Sequence, residues 1–302
     1  MINGIHHTGI SVPDLDQAIA FYEQFGAFET MLRFSVPDTA ENRQAAAVSH
    51  SAAKVAWLRS STGYVELLEF EQPGNVGAPP PSVNDTGVRH ICVQSQNGRA
   101  LFEKAKRAGA HSHANPVELG TGNLYAYVRD PMNNVIELEG IPTATDQAAS
   151  VWYAHTAYVV EDMELMLRFY ENLTGYQRSQ QGMFGPGVLY DTVSGLDNTC
   201  IEGGWIPLGN TNLEFWKYKT PQSKKRAPAT ASDLGFTHTC FEVKSVETMV
   251  DALLAQGVHF LSAPLESDAS KVVFCLDPEG NLVELIEFVR TDSALSISAL
   301  TA

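Results

Sequence analysis

The chain has 302 residues, room for two domains of ordinary size, and its 44% hydrophobic and 18% charged residues make a globular composition. A formal net charge of −15 excludes nucleic acid and anionic membranes as partners, since each would want a basic patch to displace counterions. No apolar run is long enough to span a membrane, MINGIHHTGISV carries no secretion signal, and Cys92, Cys200, Cys240 and Cys275 form no CxxC pair, so a cytoplasmic protein with reduced thiols is expected.

In chain order, the first unit opens with a strand near Ile5, followed by an amphipathic helix DLDQAIAFYEQFG and the strands VAWLRS and YVELLEF. After the linker GNVGAPPPSVNDTG a second unit starts near Val88, with the helix NGRALFEKAKRAG and the strands LYAYVRD and NVIELEG around a DPMNN turn. IPTATDQAAS then links two halves. The third unit starts near Tyr153, with the helix DMELMLRFYENLTG and the strand TNLEFWKY. YKTPQSKKRAPATASDLG leads to the fourth, which starts near Phe236, with the helix SVETMVDALLAQG and the strands KVVFCLD and NLVELIEF around DPEGN. Each helix ends near a glycine suited to a C-cap. The reading is α+β: four βαβββ units in two tandem domains, residues 1–142 and 151–290, with 291–302 a flexible tail.

The halves repeat. An offset of 148 residues brings His7-Thr8 onto His155-Thr156, Phe21-Tyr22 onto Phe169-Tyr170, Glu66 onto Glu214, and His90 onto His238. At 147, Asp130-Pro131 falls on Asp277-Pro278 and Glu137 on Glu284. Two sets of His, Glu, His, Glu result: His7, Glu66, His90 and Glu137, then His155, Glu214, His238 and Glu284. Imidazole with carboxylate suits a divalent Zn, Ni, Co, Mn or Fe(II) ion, and alternate side chains of a curved sheet can converge on one point. A lone strand histidine is usually a hydrogen-bonded core residue and a lone glutamate usually faces solvent. Against that, Glu66 and Glu284 lie in apolar runs, where an unpaired carboxylate is costly. By strand alternation Glu69, Glu287 and His6 should face away from the ligands. Cys92 and Cys240 share the ligand face and read as small packing residues, and the Phe-Tyr pairs read as helix-packing residues rather than catalytic ones.

The strand-initial histidines of HHTGISV and AHTAYVV, the FYE helix segments, and the VRHICV, FTHTCF, DPMNNVIELE and DPEGNLVELIE stretches resemble the vicinal oxygen chelate superfamily over about residues 3–290. That superfamily includes glyoxalase I, methylmalonyl-CoA epimerase, extradiol dioxygenases and antibiotic-resistance proteins. The resemblance implies paired βαβββ units forming cupped mixed sheets around one metal per pair. A complete His/Glu/His/Glu set is similar to the glyoxalase I and epimerase branch and implies a metal-dependent lyase or isomerase. Its substrate would be a small carbonyl or hydroxycarbonyl compound, bound through two neighbouring oxygens, and its intermediate an enolate or enediolate. The base would be Glu137 or Glu66, and Glu284 or Glu214 in the second set. The alternatives are an Fe(II) ring-cleaving dioxygenase and a small-molecule-sequestering resistance protein.

Two ions per chain are expected, along with a small-molecule substrate and room for a homodimer. The Gly120-Thr121-Gly122-Asn123 loop of ELGTGN has backbone N–H groups that could hold an anionic substrate, since a metal cation reverses the local field of an acidic protein. Its counterpart ESDASK lacks those glycines, so the first set is expected to carry that substrate and the second to be weaker or different.

Overall fold

The order of strands explains how the four units combine. The computed structural model describes residues 2–144 and 149–301; the centre of the expected inter-half linker, 145–148, lies outside the described residues. The first unit comprises β1 (Ile2–Ser11), α1 (Leu15–Phe25), β2 (Glu29–Val36), α2 (Ala40–Ala45), β3 (Ala53–Arg59) and β4 (Tyr64–Phe70). The second comprises β5 (Gly87–Ser95), α3 (Gly98–Arg107), β6 (Val117–Glu118), β7 (Leu124–Arg129) and β8 (Val135–Gly140). The third comprises β9 (Val151–Val159), α4 (Met163–Thr174), β10 (Gln180–Phe184), α5 (Val188–Ser194), β11 (Cys200–Pro207) and β12 (Asn212–Thr220). The fourth comprises β13 (Gly235–Val243), α6 (Val246–Leu254), β14 (Leu265–Glu266), β15 (Ser270–Leu276) and β16 (Leu282–Phe288), followed by a 3₁₀ turn at Ile297–Thr301.

These strands form two eight-stranded mixed sheets, in the orders β14-β15-β16-β13-β1-β4-β3-β2 and β10-β11-β12-β9-β5-β8-β7-β6. The first sheet therefore joins units one and four and the second joins units two and three. The seams are the antiparallel pairs β1–β13 and β5–β9.

Local sequence accounts for the helices. Asp14, Asn97, Asp162 and Ser245 cap the N-termini of α1, α3, α4 and α6 with side-chain oxygens. Gly26 and Gly175 close α1 and α4 in the left-handed conformation, which glycine adopts without strain. The apolar faces of these four helices and the facing sides of both sheets share one core, which includes Leu15, Phe25, Leu101, Met166, Leu253, Ile91 and Phe241. Glu69 and Glu287 do point away from the ligand side: each accepts a backbone N–H at a helix N-terminus, from Leu15 and Val246 respectively, both at 2.8 Å.

Tyr22 and Tyr170 pack α1 and α4 and also lock the turns that precede β8 and β16. Tyr22 Oη donates to Asp130 at 3.2 Å and Tyr170 Oη to Asp277 at 3.1 Å. The Asp277 carboxylate also accepts from the Glu279 and Asn281 backbone N–H groups and from Asn281 Nδ2. Removing that carboxylate strands four buried or half-buried donors. Asp277→Ala should lower unfolding free energy by about 3 kcal/mol, and Tyr170→Phe, which deletes one donor, by about 1 kcal/mol. Denaturant titration of both variants measures the ranking; equal losses would contradict it.

The C-terminal segment is packed, contrary to its expected flexibility. Ile297 and Ser296 are buried, and buried Glu242 accepts from Ser296 Oγ and from the Ile297 backbone N–H, both at 2.8 Å. The SALSI pattern is too short to show helical periodicity, so nothing in it announces that partner.

Candidate metal centres

Each central strand contributes one ligand candidate. In the first sheet, β4, β1, β13 and β16 carry Glu66, His7, His238 and Glu284, and their side chains converge. In the second sheet, β12, β9, β5 and β8 carry Glu214, His155, His90 and Glu137, which also converge. All eight residues expected as ligands are thus brought together, but not in the grouping that chain order suggested. Centre 1 combines His7 and Glu66 of the first half with His238 and Glu284 of the second. Centre 2 combines His90 and Glu137 with His155 and Glu214. The cause is the seam register: His7 lies opposite Cys240 and Gly9 opposite His238, while Cys92 lies opposite His155 and Ala157 opposite His90.

Each of the four histidines follows a register irregularity at its seam: residue His6, Arg89, Ala154 or Thr237 is the extra one. Bulges re-aim side chains next to sites. This also corrects the placement of His6, which alternation would turn away from His7. His6 lies beside it, with Nδ1 2.8 Å from His7 Nδ1. Burial, and then the neighbouring His7, push the His6 imidazole down to about 3, so it is neutral. Its Nε2 faces the Leu295 carbonyl at 2.9 Å, which can only accept. His6 Nε2 therefore carries the proton, His6 Nδ1 accepts from His7 Nδ1–H, and His7 Nε2 is left facing the centre.

The inner atoms suit one divalent ion in each centre. In centre 1, His7 Nε2 lies 3.1 Å from His238 Nε2, 3.1 Å from Glu284 Oε2 and 3.5 Å from Glu66 Oε2; His238 Nε2 lies 3.3 Å and 3.2 Å from Glu66 and Glu284. In centre 2 the four His–Glu separations run 3.0, 3.2, 3.3 and 3.4 Å. Ligands about 2.1 Å from a common ion sit roughly 3.0 Å apart at octahedral angles and about 3.4 Å apart at tetrahedral ones. His90 Nε2 is buried without a hydrogen-bond partner, although carboxylates lie on two sides of it. Burial alone would raise all four carboxyls, but the imidazoles hold Glu66, Glu137, Glu214 and Glu284 below the ordinary carboxylate range. Burial pushes the Cys92 and Cys240 thiols up, which leaves them as neutral packing groups.

Tryptophans that the sequence reading passed over complete the shells. Trp57 Nε1 donates to Glu66 Oε1 and Trp205 Nε1 to Glu214 Oε1, both at 2.8 Å. The 148-residue offset relates these two tryptophans as well and could have revealed them. Among the described residues, no donor is placed on the outer oxygen of Glu284.

The centres differ in their openings. Glu66, His238 and Glu284 line a 460 Å³ cavity on the concave side of the first sheet. At centre 2, Trp216 stands where centre 1 has Leu68, and Phe184 where it has Val36. Trp216 Nε1 donates to Glu214 Oε2, the inner oxygen, at 2.5 Å, and packs edge-on against Trp205 and Phe184. The Gly120–Asn123 loop is carried between β6 and β7 of the second sheet, so it belongs to the sheet of centre 2. Two of its four N–H groups are spent internally: Gly122 donates to Glu118 and Asn123 to Thr121.

Gly9 marks a second constraint on centre 1. A Cβ there would lie 2.1 Å from His238 Cε1. Gly9→Ala should weaken metal binding at centre 1 by roughly 10–100-fold while centre 2 keeps its ion. Metal titration monitored by calorimetry resolves the two sites; unchanged affinity at both would show that the ring accommodates the methyl.

A family model, the glyoxalase/bleomycin resistance protein/dioxygenase superfamily, matches residues 4–138 and 152–285. The chain belongs to that superfamily. A lactoylglutathione lyase of Schizosaccharomyces pombe is 27% identical over 162 residues, 48% of this chain and 50% of that protein, so the chain spans about half the length of the curated relative it matches. Glyoxalase I of Zea mays shares the fold, with a TM-score of 0.65 at 18% identity over 94% of this chain and 92% of the maize chain. A Bacillus subtilis protein named as a candidate dioxygenase gives a TM-score of 0.63 at 12% identity, over 96% and 86%. The superfamily thus spans both reaction classes on one fold, and fold alone does not choose between them.

Proposed function

We propose that this chain is a metal-dependent lyase or isomerase of the glyoxalase I type, with centre 1 as its catalytic centre. The observation that carries the reading is the buried His7–Glu66–His238–Glu284 convergence at the floor of an open cavity. A divalent ion held there supplies Lewis-acid stabilisation of negative charge developing on two adjacent substrate oxygens. Trp57 fixes Glu66 in a ligand role. Glu284 has an unclaimed oxygen and lines the cavity, so it takes the proton from the hydroxyl-bearing carbon next to the carbonyl and returns it to the former carbonyl carbon, while the hydroxyl proton passes to the former carbonyl oxygen. Centre 2, closed by Trp216, takes an ion in a structural role.

The test is solvent-deuterium exchange into 1,2-dicarbonyl and α-hydroxycarbonyl compounds by the metal-loaded protein. Exchange at the carbon next to the carbonyl, without oxygen uptake, is expected. Oxygen consumption with catechols by the Fe(II) form would replace this reading with a ring-cleaving dioxygenase. Tight ligand capture that is indifferent to chelation would replace it with a sequestering protein.

A further inference from the structure

The cavity at centre 1 has a one-sided charge balance. Its walls are Val55, Leu68, Phe70, Val272, Phe274 and Ile286, rising from the metal ligands on the floor. Among the described residues, no lysine or arginine lines it. The charged groups that do are Glu66, Glu284 and, away from the floor, Glu266, all acidic. Strand alternation explains the missing cations. Val55 faces the cavity, while adjacent Lys54 points to the other side and pairs with Glu69 at 2.8 Å. Val272 and Phe274 face in, while Lys271 is tied to Glu247 at the start of α6 and to Glu266.

A substrate carrying carboxylates or phosphates beyond its chelating oxygens would bring them beside carboxylates, hydrocarbon and the neutral Asn42, Ser51, Ser267 and Ser270, with no lysine or arginine among the lining residues to receive them. An unpaired anion is expensive to bury in such surroundings. An apolar body would instead gain from each methylene removed from water. At 460 Å³ the space lies within the range of small-molecule pockets and admits a compound of roughly drug size.

Building on the metal-centre reading above, we infer that the substrate of centre 1 is uncharged apart from its two adjacent chelating oxygens. Those oxygens are joined to an apolar body, aromatic or branched alkyl. Anionic thiol conjugates and acyl-nucleotide thioesters are rejected.

Hydroxamic acids test this directly, because they present two adjacent oxygens and vary only in their tails. With the nickel-loaded full chain, hexanohydroxamic acid is compared by calorimetry and by tryptophan fluorescence with adipic monohydroxamic acid, which has the same chain ending in a carboxylate. The neutral ligand is expected to bind at least tenfold tighter, and affinity should rise about fourfold per methylene from propano- to hexanohydroxamic acid. Phe34 lines the cavity, packs edge-on against Trp57 and is 36% exposed, so Phe34→Arg should fold and should raise affinity for the carboxylated ligand about tenfold. Equal or tighter binding of the carboxylated ligand by the unaltered protein would overturn the inference while leaving the metal centre standing. If neither hydroxamate binds the nickel-loaded chain, or both bind as well after chelation, the metal-centre reading fails and the inference goes with it.

Discussion

Glu284→Gln is expected to lower deuterium exchange by roughly 10²–10⁴-fold, the usual contribution of a positioned general base, whereas Glu137→Gln should leave it within about threefold. Both changes remove one negative ligand with little alteration of volume, so the contrast isolates which centre reacts. Glu284 belongs to the centre with the open cavity and has an oxygen that no donor claims. Among the described residues Glu137 too has an outer oxygen that no donor claims, but it belongs to the centre that Trp216 covers, where tryptophan N–H groups take both oxygens of Glu214. Metal content must be measured beside rate, because Gln also weakens a ligand. Supplying excess metal should restore occupancy at centre 1 without restoring turnover. The reverse outcome, with Glu137→Gln inactive and Glu284→Gln active, would move catalysis to centre 2.

Chelation should lower the melting temperature by several degrees, and the gap should widen as pH rises from about 6 to 8.5. An ion present at about 1,000 times its Kd stabilises by about 4 kcal/mol, and each kcal/mol moves Tm by roughly 2–4 °C in a chain of this order. The pH dependence follows from the ligands. Burial alone would lower the His238 and His90 imidazoles, but the glutamate carboxylates that face them raise both above 6.5. A raised imidazole contributes stability that is fully present below its unfolded pKa and lost as pH rises through the folded value. The carboxylates, held low in the fold, contribute above the ordinary carboxylate range and lose that contribution only as pH falls through their lowered values. In alkaline solution the metal-free centre therefore retains two facing carboxylates and neutral imidazoles, the state in which an ion binds best. Differential scanning at stepped pH, with and without chelator, measures the gap. A gap that narrows with rising pH would contradict the account.

The four units and the eight ligand types were legible because the duplicated spacing survives in the residues themselves. The amphipathic helices were legible through their caps and apolar periodicity, down to the left-handed Gly26 and Gly175. The pairing of the ligands was not. It depends on which strands form the sheet seams, and β1 pairs with β13 across more than two hundred residues. Nothing local in HHTGISV or FTHTCF specifies that partner. Bulges were equally hidden, which is why His6 was placed on the wrong side: period-two alternation holds only in an unbroken ladder. Edge strands β2 and β10 escaped detection because their polar, largely exposed sequences lack the alternation that a buried strand shows, and β11, inside the sheet, because Gly203-Gly204 interrupt its pattern. The difference between the two cavities lay in plain residues, Leu68 against Trp216 and Val36 against Phe184. Its meaning appeared only once the Trp216 N–H was found on the inner oxygen of Glu214.

Anomalous diffraction from crystals of the protein loaded with cobalt or nickel tests the central claim most directly. Two peaks per chain are predicted, one within bonding distance of His7, Glu66, His238 and Glu284, the other within bonding distance of His90, Glu137, His155 and Glu214. No peak at the first tetrad, or ions held by ligands from one half of the chain alone, would contradict it.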